Sequence, residues 1–278
     1  MKMLTNRRAF LGTAAVAAGV ATARIPALNA RSSAGDLTLG VASYSLRKFS
    51  RAEAIAMLKQ LHVSHVSIKS FHLPYETPEA GLVEGSNEFR SAGIKILSGG
   101  NINLTDPATL RQMFEYAKAA GIPMMVCAPR HSTMDQVEEL VKEFNIKIAI
   151  HNHGPEDQHF PSPESALKAV ENRDHRMGLC IDVGHTTRTG TNVLASIRRA
   201  GPRLFDLHIK DLYDLMRSDS LCDVGEGAMP VVSIFQELKR MNYQGGVMLE
   251  YEINADDPLM GMAKSLSYMR GALDGLSA

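Results

Sequence analysis

Short runs of aliphatic and β-branched residues recur along the chain from Leu37 onward, each separated from the next by a segment with helix-like spacing. The runs are nearly continuous rather than alternating, which is typical of parallel strands that are covered by helices. Eight strands are predicted in this way, over residues 37–44, 65–69, 95–98, 124–128, 147–152, 178–183, 204–210 and 246–251.

The segments between these runs carry the signals that begin and end helices. Two capping boxes and two caps before a proline predict helix starts at Ser50, Thr133, Asp106 and Ser162. Gly93 and Gly121 are predicted to lie just beyond two helix ends, where a left-handed conformation is common. The chain is therefore predicted to alternate eight strands with eight helices.

This alternation predicts an α/β fold, a (β/α)8 TIM barrel that forms a single domain over residues 36–278. An open, doubly wound sheet alternates strands and helices in the same way. Open sheets that bind dinucleotides usually carry a glycine-rich turn after the first strand, and none is visible here. At 278 residues and 45% hydrophobic, the chain is long enough for one large core.

Four of the predicted strands end at a potential metal ligand. These residues are His151, Asp182, His208 and Glu250. The carboxyl ends of barrel strands converge at one face, so the four side chains are expected to meet there. Oxygen and imidazole ligands suit one divalent ion, with Mn²⁺ favoured and Co²⁺, Zn²⁺, Fe²⁺ or Mg²⁺ as alternatives. The alternative without metal is a barrel rim held by ion pairs.

Further polar side chains are predicted at the same face. Glu250, His151, Lys69 and Lys210 are candidates for proton transfer, since each follows or ends a strand. Candidates for substrate binding are His153, His185, His72, Arg217, Glu226 and Glu252. His151 and His153 face the same side of their strand, so either one could be the ligand. Each lysine could instead be a rim residue, and Arg217 a surface residue.

The charge balance limits the partners. Lys and Arg together number 30, as do Asp and Glu, so the formal net charge is zero. Binding to a phosphate backbone needs a basic surface, so nucleic acid is not expected as a partner. The three cysteines, Cys127, Cys180 and Cys222, cannot all pair and are expected to be buried thiols.

Residues 1–35 are predicted to be an export signal and a short linker. Arg7 and Arg8 precede an Ala-rich, mildly apolar stretch with small residues suited to cleavage. The arginine pair indicates the twin-arginine export machinery and a periplasmic or secreted protein. An uncleaved anchor is the alternative, but the stretch is shorter than the roughly 20 strongly apolar residues that span a bilayer. No stable membrane insertion is expected after cleavage.

Four motifs together resemble the xylose isomerase-like TIM-barrel superfamily, which includes sugar epimerases, inosose dehydratases and endonuclease IV. The motifs are Ile-Asp-Val-Gly-His at 181–185, His-Ile-Lys-Asp at 208–211, Gly-Glu-Gly at 225–227 and Leu-Glu-Tyr-Glu at 249–252. The resemblance extends from about residue 39 to residue 273. It implies a divalent-metal-dependent isomerase or epimerase that acts on a sugar or keto-sugar through an enediolate. A homo-oligomer is compatible with this interpretation.

The resemblance also implies roles for single residues. The epimerases bind their metal with a Glu, an Asp, a His and a second Glu, and three of these match Asp182, His208 and Glu250. The first Glu falls on His151, although in those enzymes both glutamates exchange protons with the substrate. Lys69 lies where many relatives carry an acidic residue. Both departures point to altered chemistry, for which β-elimination on a 3-keto-glycoside is the alternative.

Two further functions are weighed against these. An endonuclease IV-like phosphodiesterase needs a multi-metal cluster and a basic groove, and the neutral net charge counts against it. A non-catalytic sugar-binding barrel would carry no metal.

Overall fold

Eight parallel strands close into the barrel that the sequence predicts. The structure is a computed structural model that describes residues 37–277. The strands of the barrel are β1 (Thr38–Ala42), β2 (His65–Ile68), β3 (Lys95–Leu104), β4 (Met124–Pro129), β5 (Lys147–His151), β6 (Met177–Asp182), β7 (Leu204–Ile209) and β10 (Gly246–Leu249). Their order around the barrel is β1-β10-β7-β6-β5-β4-β3-β2, with β2 hydrogen-bonded to β1. A small antiparallel hairpin, β8 (Asp211–Leu212) with β9 (Leu221–Cys222), follows β7.

Helices connect the strands of the barrel. Within residues 37–277 they are α1 (Arg51–Gln60), α2 (Glu79–Ser91), α3 (Leu110–Ala119), α4 (Met134–Phe144), α5 (Pro163–Val170), α6 (Val183–Arg188), α7 (Val193–Ala200), α8 (Val231–Arg240) and α9 (Leu259–Gly275). The described chain has nine α-helices where eight were predicted. The additional helix is α6, which begins directly after β6 because the Asp182 carboxylate caps it by accepting from the His185 backbone N–H.

All eight predicted barrel strands are confirmed, and seven of them end within two residues of the predicted bound. The exception is β3, which continues to Leu104 instead of ending at Ser98. The glycines at 99 and 100 suggest a turn, but the chain resumes pairing with β4 beyond them, from Ile102 to Leu104. The hairpin β8–β9 was not predicted, because each of its strands has only two residues.

Three of the four predicted helix starts are confirmed, because α1, α4 and α5 begin directly after Ser50, Thr133 and Ser162. Complete capping boxes form at Ser50 and Ser162. The capping box predicted at Thr133 does not form, because its hydroxyl donates to the backbone oxygen of Leu104 instead of capping α4. The helix start predicted at Asp106 is wrong, since its carboxylate closes a turn and α3 begins only at Leu110. The two predicted glycines beyond helix ends are confirmed by positive φ angles, 78° at Gly93 and 61° at Gly121.

The core fills the barrel and the layer between strands and helices. The three cysteines are free and buried, as expected. Residues 1–36, which carry the predicted export signal, lie outside the described residues, so that prediction is not tested. Within the described part, no helix has the length and apolar character needed to cross a membrane.

Candidate metal centre at the mouth of the barrel

Four buried side chains converge where four strands of the barrel end. His151 and Asp182 are the last residues of β5 and β6, His208 precedes the last residue of β7, and Glu250 directly follows β10. Asp182 and His208 are fully buried, and His151 and Glu250 are 3% and 5% exposed. One ligand atom of each lies within 4.8 Å of the ligand atoms of the other three. The strand ends bring together the four residues that the sequence proposed as ligands.

The contacts inside this cluster are short. Nε2 of His151 lies 3.0 Å from Nδ1 of His208 and 3.6 Å from Oδ2 of Asp182. Nδ1 of His208 also lies 3.3 Å from Oε2 of Glu250. Two imidazole nitrogens at 3.0 Å repel each other unless a proton or a cation lies between their lone pairs. Either the hydrogen of one imidazole or a cation must therefore lie between these two nitrogens.

The cluster fits a metal ion because a carboxylate oxygen that faces its centre has no hydrogen bond. Oδ2 of Asp182 is buried, lies 3.6 Å from Nε2 of His151 and has no hydrogen-bond partner among the described residues. Buried polar atoms are almost always paired, and a group that is not needs an explanation such as an ion. Two imidazoles and two carboxylates are the ligand types that divalent transition metals prefer. A divalent ion bound by these four side chains would explain the unpaired oxygen of Asp182.

A second combination of ligands, with Cys180 in place of the two carboxylates, also lies near His151 and His208. Burial, together with the nearby carboxylates, raises the pKa of the Cys180 thiol well above its usual value. A metal ligand must be the thiolate, and a thiol whose pKa is raised resists deprotonation. The set with Asp182 and Glu250 is therefore the better ligand set.

The protonation states of His151 and Asp182 suit metal binding. Burial would lower the pKa of His208, but Glu250 outweighs burial and raises it, so a bound ion would replace a proton there. Burial lowers the pKa of His151 well below its usual value, more than Asp182 raises it, so the imidazole is neutral. Burial would raise the pKa of Asp182, but the Lys210 ammonium and the neighbouring imidazoles hold it well below its usual range. Neutral imidazole and ionised carboxylate are the forms that bind metal.

Lys210 lies beside the cluster and contacts three carboxylates. Its Nζ donates to Oε2 of Glu250 at 3.0 Å and to Glu252, and it lies 3.1 Å from Oδ2 of Asp182 without hydrogen-bond geometry. Burial would lower the pKa of Lys210, but the carboxylates outweigh it and raise the pKa well above its usual value. Lys210 is therefore a permanent ammonium and a hydrogen-bond donor, and a poor base.

Lys69 approaches Glu250 from β2. Its Nζ lies 3.6 Å from Oε1 of Glu250, the oxygen that Lys210 does not contact. The side chain of Lys69 is nearly buried and lies over the ring of Tyr44, with Nζ 5.3 Å from the ring centroid. The two lysines thus hold the two oxygens of one carboxylate.

The turn after β1 fixes the backbone at Lys69 and at Tyr251, the residue after Glu250. The hydroxyl of Ser43 accepts from the backbone N–H of Lys69 at 2.8 Å, and the hydroxyl of Ser45 accepts from the backbone N–H of Tyr251 at 2.8 Å. One turn therefore holds the backbone at the end of β2 and the backbone directly after Glu250. Sequence reasoning missed both serines, and only their position directly after a strand pointed to them.

His72 does not contact the cluster but supports this turn. Its Nδ1 lies 3.0 Å from Oγ of Ser43, and its Nε2 lies 3.2 Å from the backbone oxygen of Leu46. Because a carbonyl only accepts, Nε2 carries the hydrogen and Nδ1 accepts from Ser43. Both ring nitrogens of this buried side chain are used within the fold. The sequence suggested that His72 binds substrate, but the structure gives it no free ring nitrogen to do so.

His153 and His185 flank the cluster, as the sequence proposed. The ring centroid of His153 lies 4.5 Å from that of His151, and the ring centroid of His185 lies 5.8 Å from it. Nδ1 of His153 lies 3.2 Å from Asp157, and Nε2 lies 2.8 Å from the Asn101 amide. Of the two histidines on β5, only His151 belongs to the ligand cluster, so it is the better candidate for the ligand.

Two residues that sequence reasoning missed orient these groups. Arg188 is nearly buried and donates to Nδ1 of His185 at 2.8 Å, so neutral His185 carries its hydrogen on Nε2. The amide oxygen of Asn152 accepts from the backbone N–H of Asp182 at 3.0 Å. Asn152 lies between His151 and His153, and Arg188 lies one helical turn after His185. Only the folded structure shows what they contact.

The structure does not bring Arg217 and Glu226 to the cluster. Arg217 is exposed and pairs with Asp219 at 2.7 Å, while the half-exposed Glu226 accepts from the Tyr213 hydroxyl at 3.4 Å. The Gly-Glu-Gly motif is instead explained by Asp211, whose carboxylate accepts from the backbone N–H groups of Gly225 and Gly227 at 2.9 and 3.2 Å. A Cβ atom at Gly227 would lie 2.2 Å from Oδ1 of Asp211, so the motif is structural.

Comparisons with known proteins agree with this architecture. A protein of unknown function from Methanocaldococcus jannaschii is 26% identical over 132 residues, which cover 43% of this chain and 41% of that protein. The solved structure of a protein from Parabacteroides distasonis is 25% identical, with a TM-score of 0.68 over 84% of this chain and 98% of that one.

Two more distant structures share the fold. The IolI protein, solved with a bound zinc atom, is 17% identical, with a TM-score of 0.71 over 86% of this chain and 99% of that one. The 3-keto-D-glucoside 4-epimerase from E. coli is 14% identical, with a TM-score of 0.68 over 85% and 100% of the two chains. The family model described as xylose isomerase-like TIM barrel matches residues 52–272, and the chain belongs to this family.

Proposed function

We propose that this protein is a divalent-metal-dependent enzyme that isomerises or epimerises a sugar or keto-sugar through an enediolate. The observation that carries the proposal is the convergence of His151, Asp182, His208 and Glu250 within 4.8 Å, with a buried oxygen of Asp182 that lacks a hydrogen bond. The fold supports the proposal, because barrels of this kind place their active sites at the carboxyl ends of the strands.

A divalent ion held by His151, Asp182, His208 and Glu250 would supply Lewis acidity to a substrate carbonyl and the neighbouring hydroxyl, which would acidify the proton on the carbon that bears the hydroxyl. Mn²⁺ is the ion proposed here, because the set contains two carboxylates and two imidazoles. The zinc bound by the IolI protein makes Zn²⁺ the first alternative to test, followed by Co²⁺, Fe²⁺ and Mg²⁺.

The proton is moved by side chains beside the metal. Burial would raise the pKa of Glu250, but Lys210, His208 and Lys69 hold it well below its usual range, so it is ionised and can accept a proton. Lys69 forms an ion pair with Oε1 of Glu250 at 3.6 Å, which is beyond direct hydrogen-bond distance, so a proton would pass between them only after a closer approach. Lys210 stays charged and donates to a substrate oxygen, which steadies the negative charge of the enediolate.

Substrate hydroxyls are held by the groups around the cluster. His185 presents an N–H on Nε2 because Arg188 occupies its other nitrogen. His153 lies beside it, with ring centroids 5.7 Å apart, and both rings are partly exposed. The two ring nitrogens of His153 contact Asp157 and Asn101, so His153 would bind a hydroxyl only by exchanging one of these partners. Glu252 shares the Lys210 ammonium with Glu250 and can accept from a substrate hydroxyl.

A lyase that performs β-elimination on a 3-keto-glycoside is the second candidate. The observation that favours it is the asymmetry of the site: one carboxylate, Glu250, lies between two lysines, and His151 lies opposite. In an elimination, Glu250 would take the α-proton and the Lys69 ammonium would protonate the departing oxygen. This pair of roles needs one base and one acid and no second carboxylate.

Elemental analysis and a substrate panel in D₂O test the proposal. Purified protein is expected to hold one divalent ion per chain. An isomerase or epimerase returns a sugar that carries deuterium at the reacting carbon, whereas a lyase releases the aglycone and an unsaturated keto-sugar. Lys69→Met should lower turnover by about 10²–10⁴-fold without loss of metal. A protein without metal that binds sugars but does not convert them would contradict the proposal, as would phosphodiesterase activity with several metal ions per chain.

A further inference from the structure

The mouth of the barrel has two chemically different halves. Among the described residues, half of the exposed large hydrophobic side chains lie on loops that follow barrel strands, and they are Phe71, Tyr213, Met216 and Ile253. Their loops follow β2, β7 and β10, which together with β1 are four consecutive neighbours in the barrel. Large apolar groups at the entrance of a site are costly to expose together and usually mark a binding surface.

The other half of the mouth carries imidazoles. The segments after β4, β5 and β6 carry His131, His153, His159 and His185, all of them partly or fully exposed. His185 has a ring N–H for a hydroxyl, because Arg188 occupies its other nitrogen, while the side chains of Phe71, Met216 and Ile253 have no hydrogen-bond donor. A substrate that uses both halves therefore has a hydroxyl-rich part and a flat apolar part.

A chain of contacts leads from the metal cluster to the apolar half. Lys69 contacts the buried Glu250, and the Lys69 ammonium lies 5.3 Å from the ring centroid of Tyr44. The ring of Tyr44 lies 6.0 Å from the ring of Phe71, tilted by 55°. Exposure rises along this path, from 5% at Glu250 and 9% at Lys69 to 54% at Phe71. The path leads outward, and its last member is an aromatic ring largely open to solvent.

The ring of Tyr44 on this path is held in place. The guanidinium of Arg47 lies 4.4 Å from the ring centroid of Tyr44, on a ring that Lys69 also contacts. Arg47 is itself held by donating to the backbone oxygen of Tyr44 at 3.1 Å. Cations close to an aromatic ring stabilise its position. An aromatic surface that is already ordered loses little entropy on binding a flat partner.

We propose that Tyr44 and Phe71 form a subsite for a second ring attached to the reacting sugar. This inference rests on the proposed function and specifies its substrate class: a glycoside whose attached group has a flat, C–H-rich face. A sugar bound at the metal cluster reaches Lys69 and Tyr44. The attached ring then stacks on Phe71, because aromatic rings bind flat apolar faces with favourable dispersion and offset stacking.

Saturation-transfer difference NMR on the metal-loaded full chain tests the subsite with compounds that need not react. The probes are p-nitrophenyl β-D-glucopyranoside, cellobiose and methyl β-D-glucopyranoside. The aryl protons, and the protons of the second glucose in cellobiose, are expected to receive strong saturation from the protein. Phe71→Ala should weaken binding of the aryl glucoside by about tenfold and leave the methyl glucoside unchanged, because only the attached ring loses buried apolar contact.

Two control variants distinguish the loss of ring stacking from a general effect on folding. Phe71→Tyr keeps the ring and should retain wild-type binding, and Val83→Ala removes an exposed apolar side chain on α2 and should change nothing. Equal saturation of aryl and methyl glucosides in the wild type, or equal binding of the aryl glucoside by wild type and Phe71→Ala, would overturn the subsite. A preference for cellobiose over the aryl glucoside that is lost in Phe71→Ala supports it and assigns the second ring to a sugar.

The experiments distinguish an incorrect subsite from an incorrect proposed function. If the protein converts free keto-sugars but Phe71→Ala binds all three probes normally, the subsite is wrong and the enzyme assignment stands. If no keto-sugar is converted but the aryl contact depends on Phe71, the subsite stands and the proposed reaction is wrong.

Discussion

Nζ of Lys210 donates to Oε2 of Glu250 at 3.0 Å, and the two residues directly follow the neighbouring strands β7 and β10. The same ammonium contacts Asp182 and Glu252, so a single cation lies against three carboxylates. A lysine in this setting stays protonated, and its contribution to a reaction is electrostatic. A metal centre that includes Asp182 and Glu250 would have this positive charge immediately beside it.

Lys210→Met should therefore keep the metal and lower kcat by about 10²–10³-fold, which is the usual effect of removing one donor to a developing negative charge. Metal content by mass spectrometry and kcat on the identified substrate are the measurements. Lys142→Met is the matched control, since Lys142 is half-exposed on α4 and pairs only with Glu138. Unchanged kcat in Lys210→Met would assign the charge stabilisation to another group.

Asp182→Ala, His208→Ala and Glu250→Ala should each lose most of the bound metal while the barrel remains folded by circular dichroism. Each change removes one of four ligands and opens the cluster to water. His175→Ala is the control for a histidine change, because its side chain is 86% exposed. If all three ligand variants keep one ion per chain, the metal is bound elsewhere.

His72 should make the protein less stable at mildly acidic pH. Burial, as the largest cause, lowers the pKa of His72 in the folded state. The unfolded chain, with the ordinary pKa of about 6.5, then binds a proton that the folded chain excludes. This contribution to stability is present above pH 6.5 and is lost as the pH falls below it.

His72→Gln removes the titrating ring at this position. The free energy of unfolding, measured by urea denaturation between pH 7.5 and pH 5, should then depend less on pH, by at most about 1.4 kcal/mol per pH unit. The exposed His175→Gln should leave the slope unchanged. A slope in His72→Gln equal to that of the wild type would mean that His72 takes up its proton in the folded state.

Export is predicted from the sequence alone. Replacing Arg7 and Arg8 by lysine should keep the protein in the cytoplasm, because the twin-arginine machinery reads the arginine pair. Cell fractionation with immunodetection measures the distribution. A change of Lys2 to Arg, which leaves the pair intact, is the control. Normal export of the double variant would show that another route is used.

The order of the strands and the ligand set could be predicted from the sequence, because both depend on local pattern. An aliphatic run that stops at His151, Asp182, His208 or Glu250 identifies a buried strand and the polar group at its end. A barrel then brings these ends together without further information. The helix start at Thr133 was predicted correctly, but its capping box was not, because the hydroxyl finds a partner at Leu104, far away in the sequence.

The tertiary structure decided which groups the ligands and their neighbours contact. His72 lies close to Lys69 in the sequence and was assigned to the substrate, but its ring nitrogens are used by Ser43 and Leu46. Arg217 was predicted to bind substrate, but it pairs with Asp219 at the surface. Hydrogen bonds and ion pairs form between atoms a few ångströms apart, and the packing of the barrel, which no local pattern records, determines which atoms those are.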